Sequence, residues 1–281
     1  MSLPADFDLD EFVRRVFAED LGSGGDVTSK ATIPAEARFT AEMNCRQSVV
    51  LAGIGIAAAF FRALDPQIQI ESFVEDGDRV QHGTRVLRLA GNARAMLTAE
   101  RSALNTLQHL SGVATLTRRY VDAIAGTGAV LLDTRKTIPG LRVLEKYAAR
   151  MGGAENHRMR LDDGVLIKDN HIAVCGSVGE AVRRAKSVST GLTVQVEIDR
   201  IDQIEPALAA GADRLLLDNM DPAVLRAAVR LVRGRVPLEA SGGVTLETIR
   251  FLAETGVNYI SVGRITQSAP AVDIGLDYKV G

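Results

Sequence analysis

Short apolar segments recur through the second half of the chain, and each ends in a charged residue, a polar residue or glycine. Their length and composition are typical of strands. We predict strands at 129–132, 164–167, 193–196, 214–217, 236–238 and 259–262. Apolar residues at helical spacing predict helices near 139–151, 178–187, 201–209, 222–232 and 246–254. Strands that alternate with helices favour a parallel α/β barrel over an antiparallel sheet, although a complete barrel has about eight strands.

The first third of the chain predicts a mixture of helices and strands. We predict a helix at 8–19, a strand at 38–44, a helix at 54–64 and a strand at 68–74. The long apolar stretch at 97–124 is interrupted by Ser111 and Gly112, so we expect two helices that meet there. The glycine-rich loop at 22–29 follows no predicted strand and precedes no GKS/T motif, which favours a structural loop over a phosphate-binding one.

Segment 75–87 has the pattern of half a biotinyl or lipoyl carrier domain, which is a different class of function. Such a carrier presents a lysine at the tip of a hairpin, but no lysine occurs between Lys30 and Lys136. We therefore expect a structural hairpin in which a tight glycine turn joins two short strands.

Charge and cysteine content argue against several classes of protein. The formal net charge of the 281 residues is −2, whereas broad binding to nucleic acids or membrane surfaces needs an excess of Lys and Arg. Cys45 and Cys175 are far apart and form no CxxC motif, which disfavours a disulfide framework or a zinc site. The acidic first residues do not resemble a signal peptide, and the apolar window at 49–64 is too short for a bilayer. We expect a cytoplasmic protein without nucleic-acid or membrane partners.

Basic residues are concentrated between and just after the first two predicted barrel strands. They lie at the ends of predicted elements, where parallel strands present their carboxyl ends at a common edge. The members of this basic cluster are Arg135, Lys136, His157, Arg158 and Lys168. Guanidinium groups bind carboxylates and phosphates in a bidentate way, and lysine supplies a point charge. The cluster therefore predicts a small ligand that carries several carboxylates or phosphates.

Several basic residues are compatible with other roles. His157 is compatible with a core histidine that caps a backbone group. Lys168 at a barrel strand end is compatible with Schiff-base chemistry of the aldolase type, but that chemistry needs an uncharged amine and a carbonyl substrate. The neighbouring cations favour an anionic ligand instead. We expect His82 and His109 to be structural, and Asn170 and His171 to orient loops.

Two carboxylates and two glycine-containing turns also follow predicted strands. Glu197 and Asp218 end successive predicted strands. A single carboxylate at a strand end would more often be a helix cap. A pair of carboxylates opposite a basic cluster suits Mg²⁺ and sugar hydroxyls. The two turns are Ser241-Gly242-Gly243 and Val262-Gly263-Arg264. Their backbone N–H groups suit a phosphate, and turn geometry alone would equally account for the glycines.

Several motifs, in this order and spacing, resemble those of the quinolinate phosphoribosyltransferase family. They are EDLGSGGDVTS, AERSALNTLQHLSGVAT, DTRKT, GGAENHRM, LIKDNHI, EASGG, ISVG and DIGLD, and they cover nearly the whole chain. A relative of the family that is associated with molybdenum transport lacks the NHRM and KDNHI patterns. One departure follows ISVG, where many members have ALTHS and this chain has Arg264-Ile265-Thr266-Gln267-Ser268.

The resemblance implies a fold and a reaction. The fold has an incomplete TIM-like α/β barrel of the type II phosphoribosyltransferases at 111–267. An N-terminal α/β sandwich domain spans 1–110, and the C-terminal tail at about 268–281 joins this domain. The reaction is the Mg²⁺-dependent transfer of phosphoribosyl from phosphoribosyl pyrophosphate to quinolinate. Decarboxylation then gives nicotinate mononucleotide for NAD biosynthesis. Nicotinate stays open as the acceptor, although the number of cations favours the diacid.

The resemblance also implies residue roles. Lys136, Glu197 and Asp218 are the expected catalytic residues, and the two carboxylates also hold Mg²⁺, mainly through water and substrate. The expected substrate-binding residues are Arg101, Thr134, Arg135, Lys136, His157, Arg158, Lys168, Glu197, Asp218, Ser241, Gly242, Gly243, Val262, Gly263 and Arg264. Because the family's counterpart of Arg101 reaches the site of the neighbouring subunit, we expect a homodimer.

Overall fold

A computed structural model of the chain describes residues 7–188 and 191–279. The chain divides into two compact units. The first comprises the described residues of Met1–Leu116, Val143–Gly152 and Ala269–Gly281, and the second those of Thr117–Arg142 and Gly153–Ser268. The segment Val143–Gly152 thus belongs to the first unit, although it lies within the range predicted for the barrel. Within the described ranges, none of the helices has both the length and the apolar character that a membrane span requires.

The helices and strands of the first 151 residues alternate irregularly. They are α1 (Leu9–Leu21), α2 (Val27–Thr32), β1 (Arg38–Cys45), β2 (Val49–Val50), α3 (Ile54–Leu64), β3 (Gln69–Ser72), β4 (Arg79–Val80), β5 (Arg85–Asn92), α4 (Ala93–Ala123), β6 (Val130–Leu132) and α5 (Arg142–Met151). Thereafter the alternation is regular, with β7 (Val165–Ile167), α6 (Asp169–Cys175), α7 (Val178–Val188), β8 (Val194–Ile198), α8 (Ile204–Ala209), β9 (Arg214–Asp218), α9 (Pro222–Val232), β10 (Leu238–Ser241), α10 (Ile249–Ala253), β11 (Tyr259–Ser261), α11 (Arg264–Gln267) and β12 (Ile274–Lys279).

The first unit is an α/β layer structure around an antiparallel sheet. In the described chain the sheet has the strand order β12-β1-β5-β3. Alternate residues Ala41, Met43 and Cys45 of β1 are fully buried, as expected when one face of a sheet is covered. Helix α3 contributes the fully buried Phe60, whose ring packs edge-on against Phe17 of α1 at 5.4 Å between centroids.

The prediction of two helices that meet at Ser111 and Gly112 is wrong. Helix α4 continues through both residues. Ser111 is buried and donates from its hydroxyl to the carbonyl of Ala52 while accepting from the Ala52 N–H. A Cβ at Gly112 would lie 3.1 Å from the carbonyl carbon of Pro270. Both residues are small because other segments approach the helix closely, and the contacts outweigh their weak helix propensity.

The hairpin predicted within 75–87 is also wrong. Strand β4 pairs with β2 in a small two-stranded sheet, whereas β5 pairs with β1 and β3. The turn between β4 and β5 is anchored on Cys45, whose N–H donates to Thr84 and whose carbonyl accepts from Gly83. The segment therefore passes from one sheet to another, which is not the topology of a carrier domain.

The second unit is an incomplete α/β barrel. In the described chain its strands have the order β6-β11-β10-β9-β8-β7, and every neighbouring pair is parallel. All the predicted barrel strands are present, with one shifted to Leu238–Ser241 because Pro237 has no N–H to donate. The short helices α6 and α11 were not predicted, and α5, which lies mostly in the first unit, begins at Arg142 rather than at 139. All carboxyl ends lie at one edge, as in other parallel barrels.

Candidate active site

A cavity of about 650 Å³ opens at the carboxyl edge of the barrel strands. Every strand of the barrel sheet contributes a lining residue near or just after its carboxyl end. The predicted site residues among them are Thr134, Arg135, Lys136, His157, Arg158, Lys168, Glu197, Asp218, Ser241, Gly242, Gly243, Val262, Gly263 and Arg264. Arg101 is the exception, because it is exposed on α4 in the first unit and is not one of the lining residues.

Two guanidinium groups form the strongly positive part of the cavity. Burial lowers the pKa of Arg158, and the charge of neighbouring Arg135 lowers it further. Nε of Arg135 is buried and has no hydrogen-bond partner among the described residues. Since arginine remains charged in proteins, two such groups in one half-buried site repel each other unless an anion lies between them. The arrangement suits a ligand with carboxylates.

Carboxylates occupy the adjoining strand ends. Lys168 Nζ lies 3.1 Å from Oε2 of the buried Glu197, so the two side chains form an ion pair. Burial raises the pKa of Asp218 above its ordinary value, and the negative charge of Asp199 adds to this shift. The positive charges of Lys168 and Lys136 oppose the shift without cancelling it. The oxygens of Glu197, Asp199 and Asp218 all lie within 4.8 Å of one another. An oxygen-rich set of this kind fits Mg²⁺, which keeps several waters and takes one or two carboxylates.

The turn after β10 has a backbone that only glycine adopts easily. Gly242 and Gly243 have φ of 94° and 58°. Asn219, at the end of β9, also has a positive φ of 53°, and its N–H donates to the carbonyl of Ser241 at 2.8 Å. The Asn219 amide donates to the carboxylate of Asp218. The turn and the carboxylate are therefore connected through Asn219, which the sequence analysis did not identify.

The turn after β11 contacts the loop after β6. The methylene groups of Lys136 pack over Gly263, where a Cβ would lie 2.7 Å from Cδ of the lysine. Thr266 Oγ1 donates to the carbonyl of Lys136 at 2.7 Å. These contacts orient the lysine along the cavity wall. Arg264 and Gln267, the positions at which the chain departs from ALTHS, both line the cavity.

Three buried residues hold His157, and the sequence analysis identified none of them. Asp133 accepts from the N–H of His157 at 2.8 Å and from the side chain of Asn156. Gln195 Oε1 lies 3.1 Å from Nε2 of His157, and Gln195 Nε2 donates to Glu239 at 2.8 Å. At Gln195 and Glu239 the signal was a polar residue within an otherwise apolar strand, and at Asp133 it was a carboxylate directly after a strand.

The chain is similar to known proteins over nearly its whole length. A family model described as "Quinolinate phosphoribosyl transferase, C-terminal domain" matches residues 113–277, and the corresponding N-terminal domain model matches residues 26–111. The chain belongs to the quinolinate phosphoribosyltransferase family. It is 44% identical to the "Nicotinate-nucleotide pyrophosphorylase [carboxylating]" of Mycobacterium leprae, and the match covers 94% of this chain and 95% of that protein.

Other members of the family agree over similar lengths. A protein of Bacillus subtilis named "Probable nicotinate-nucleotide pyrophosphorylase [carboxylating]" is 42% identical over 96% of this chain and 93% of its own length. The crystal structure of a nicotinate-nucleotide pyrophosphorylase from Ehrlichia chaffeensis superposes with a TM-score of 0.94. It is 39% identical, and the match covers 98% of this chain and 100% of that one. The fold expected from the resemblance is therefore confirmed.

Proposed function

We propose that the protein transfers the phosphoribosyl group of phosphoribosyl pyrophosphate to quinolinate and releases pyrophosphate, CO₂ and nicotinate mononucleotide. The observation that carries this proposal is that one cavity holds a cationic side formed by Arg135 and Arg158 and a carboxylate side formed by Glu197 and Asp218, with Lys168 paired to Glu197. A pyridine dicarboxylate suits the cationic side, and the hydroxyls of a ribose suit the carboxylate side. Membership of the family supports the same reaction.

Arg135, Arg158 and Lys168 bind the two carboxylates of quinolinate in this proposal. Three cations that line one cavity can hold more than one carboxylate at once, which favours the diacid over nicotinate. Held in this way, the ring would turn its nitrogen towards C1′ of the ribose. Correct placement of two reacting atoms is a large part of catalysis in transfers of this kind.

Glu197 and Asp218 bind the ribose and, with Asp199, hold Mg²⁺. When bound, the ion neutralises charge on the pyrophosphate leaving group. Lys136 lies on the pyrophosphate side and stabilises the negative charge that develops there. The turns at Ser241–Gly243 and Val262–Arg264 hold the 5′-phosphate through backbone N–H groups.

The chemical steps need little from the protein beyond binding and exclusion of water. As the bond from C1′ to pyrophosphate breaks, positive charge develops on the ribose, and Glu197 and Asp218 stabilise it. The pyridine nitrogen then bonds to C1′. Its positive charge stabilises the electron pair that the departing CO₂ leaves on the ring carbon, and a proton replaces the carboxylate.

We also propose a cytoplasmic homodimer in which Arg101 enters the neighbouring site. The exposed position of Arg101 on α4 supports a contact outside its own subunit. Mixing two inactive variants, Arg101→Ala and Arg135→Ala, tests this arrangement. Mixed dimers would contain one intact site, so activity would return to about a quarter of the native value. No recovery would contradict the shared site.

The experiment that tests the reaction offers quinolinate and nicotinate in parallel to the purified protein with phosphoribosyl pyrophosphate and Mg²⁺. Nicotinate mononucleotide and CO₂ from quinolinate alone are expected. Arg158→Ala should abolish turnover, whereas the control Arg160→Ala, on the same loop but paired with Asp162 at the surface, should not. Product from nicotinate alone would overturn the acceptor, and no product from either would overturn the proposal.

A further inference from the structure

Both ring nitrogens of His157 are hydrogen-bonded within the protein. Nδ1 lies 2.8 Å from the backbone nitrogen of Arg158. A backbone N–H only donates, so Nδ1 must present its lone pair and carries no proton. Nε2 lies 3.1 Å from Oε1 of Gln195. The state of Nε2 therefore depends on which end of the Gln195 amide faces it.

The orientation of the Gln195 amide follows from its other partner. Its second polar atom lies 2.8 Å from Oε2 of Glu239, and only the NH₂ end of an amide can donate to a carboxylate. The carbonyl end of Gln195 consequently faces His157 and requires an N–H at Nε2. Oε2 of Glu239 itself lies 3.5 Å from Nε2 and is also an acceptor.

The buried carboxylate of Glu239 also has an arginine neighbour. Arg214 places Nη1 3.6 Å from Oε2 of Glu239 and stacks its guanidinium 3.8 Å from the centre of the Tyr259 ring. The arginine balances the buried negative charge, because its own charge does not titrate.

We propose that Glu239, through Gln195, is a positioning residue that holds His157 as the neutral Nε2–H tautomer. His157 then adds no positive charge to the site. Its Nδ1 fixes the backbone of Arg158, and Asp133 fixes the N–H of His157 itself. The inference rests on the proposed function, since it concerns how the pyridine dicarboxylate is held.

The proposal changes the role expected of His157. A protonated imidazole would point a second N–H from Nδ1 at the N–H of Arg158, two donors facing each other across 2.8 Å. The charges that hold the dicarboxylate come instead from Arg135, Arg158 and Lys168. Unlike a histidine, none of these residues has an ordinary pKa between about pH 5 and 8.

The decisive measurement is the nitrogen chemical shifts of the His157 ring in ¹⁵N-labelled protein without substrate. The chain has four histidines, and a His157→Gln sample serves only to assign the resonances. At pH 8 we expect an unprotonated Nδ1 and a protonated Nε2. A proton on Nδ1, alone or together with one on Nε2, would overturn the proposal. Because no turnover is needed, failure of the proposed function would be seen separately, as missing product.

Glu239→Gln tests whether Glu239 sets the tautomer. The Gln195 amide loses its fixed acceptor, so we expect signals of a second His157 tautomer and a KM for quinolinate that rises about five- to tenfold, with less change in kcat. The control is Glu205→Gln, which removes an exposed carboxylate that also pairs with an arginine, Arg235. An unchanged tautomer and an unchanged KM would overturn the role of Glu239. The wild-type spectra decide the tautomer even if the variant does not fold.

Discussion

Gly242 and Gly243 form a matched pair for testing the geometry of the turn after β10. Both have a positive φ, which costs a residue with a Cβ about 1–2 kcal/mol. Their surroundings differ. A Cβ on Gly242 would lie 2.8 Å from the backbone nitrogen of Asn219 and closer still to its side chain, whereas a Cβ on Gly243 would have no atom of the described chain within 4 Å.

The magnitudes follow from that difference. Alanine at either position restricts the unfolded chain, which offsets about 0.4–1 kcal/mol of the backbone cost. We therefore expect Gly243→Ala to lower the free energy of unfolding by about 1 kcal/mol. Gly242→Ala adds an overpacking cost of about 1–3 kcal/mol, so its total is about 3 kcal/mol.

Urea denaturation of the two variants, analysed by linear extrapolation, measures these free energies. The KM values for phosphoribosyl pyrophosphate and for quinolinate give a second readout. Because Asn219 hydrogen-bonds to Asp218, its displacement in Gly242→Ala should raise the KM for phosphoribosyl pyrophosphate more than the KM for quinolinate. Equal destabilisation of both variants, or a larger effect of Gly243→Ala, would refute the reasoning from close approach.

Three further predictions concern single side chains. Arg135→Ala and Lys168→Ala should each abolish turnover while the circular dichroism spectrum and Tm stay near native, and near-normal activity of either would contradict the placement of the ligand. Asp199→Asn should weaken Mn²⁺ binding measured by electron paramagnetic resonance about tenfold, whereas the exposed control Asp202→Asn should not. Asp26→Ala should cost about 1 kcal/mol at neutral pH, since Asp26 caps α2. Hydrogen bonds from Ser29 lower the pKa of Asp26, so the stability that Asp26 contributes is lost as pH falls from the ordinary carboxyl range through the lowered pKa. If Asp26→Ala destabilised the protein as much in acid as at neutral pH, the assignment of the cap would be contradicted.

The barrel and most of its cavity could be predicted because local pattern and tertiary position coincide there. Each barrel strand is a short, mostly apolar run that is buried in the sheet, and the polar residue near or just after its end lies at the carboxyl edge. Lys168, Glu197 and Asp218 were found in this way. Parallel order then brings such residues together whatever separates them in sequence.

The positions that were missed depend on burial and partners rather than on local pattern. Glu239 and Gln195 lie inside strands, where a polar residue gives no sign of what it will meet across the sheet. Asp199 is exposed beyond a strand end and resembles an ordinary loop residue. Gly112 suggested a helix break, but its small size serves close contact with Pro270. At Gly112, contacts between distant segments overrode local propensity.

The pairing of β1 with β12 has a consequence for biosynthesis. These strands come from opposite ends of the described chain, with Ala41 opposite Tyr278. At about 5–20 residues per second, β1 leaves the ribosome roughly ten seconds or more before its partner exists. Until then one edge of β1 can pair with other chains, which is the exposure that leads to aggregation. The nascent sheet is thus completed only after the whole barrel has been synthesised. Binding of a chaperone to the open edge of β1 would protect the chain most during that interval.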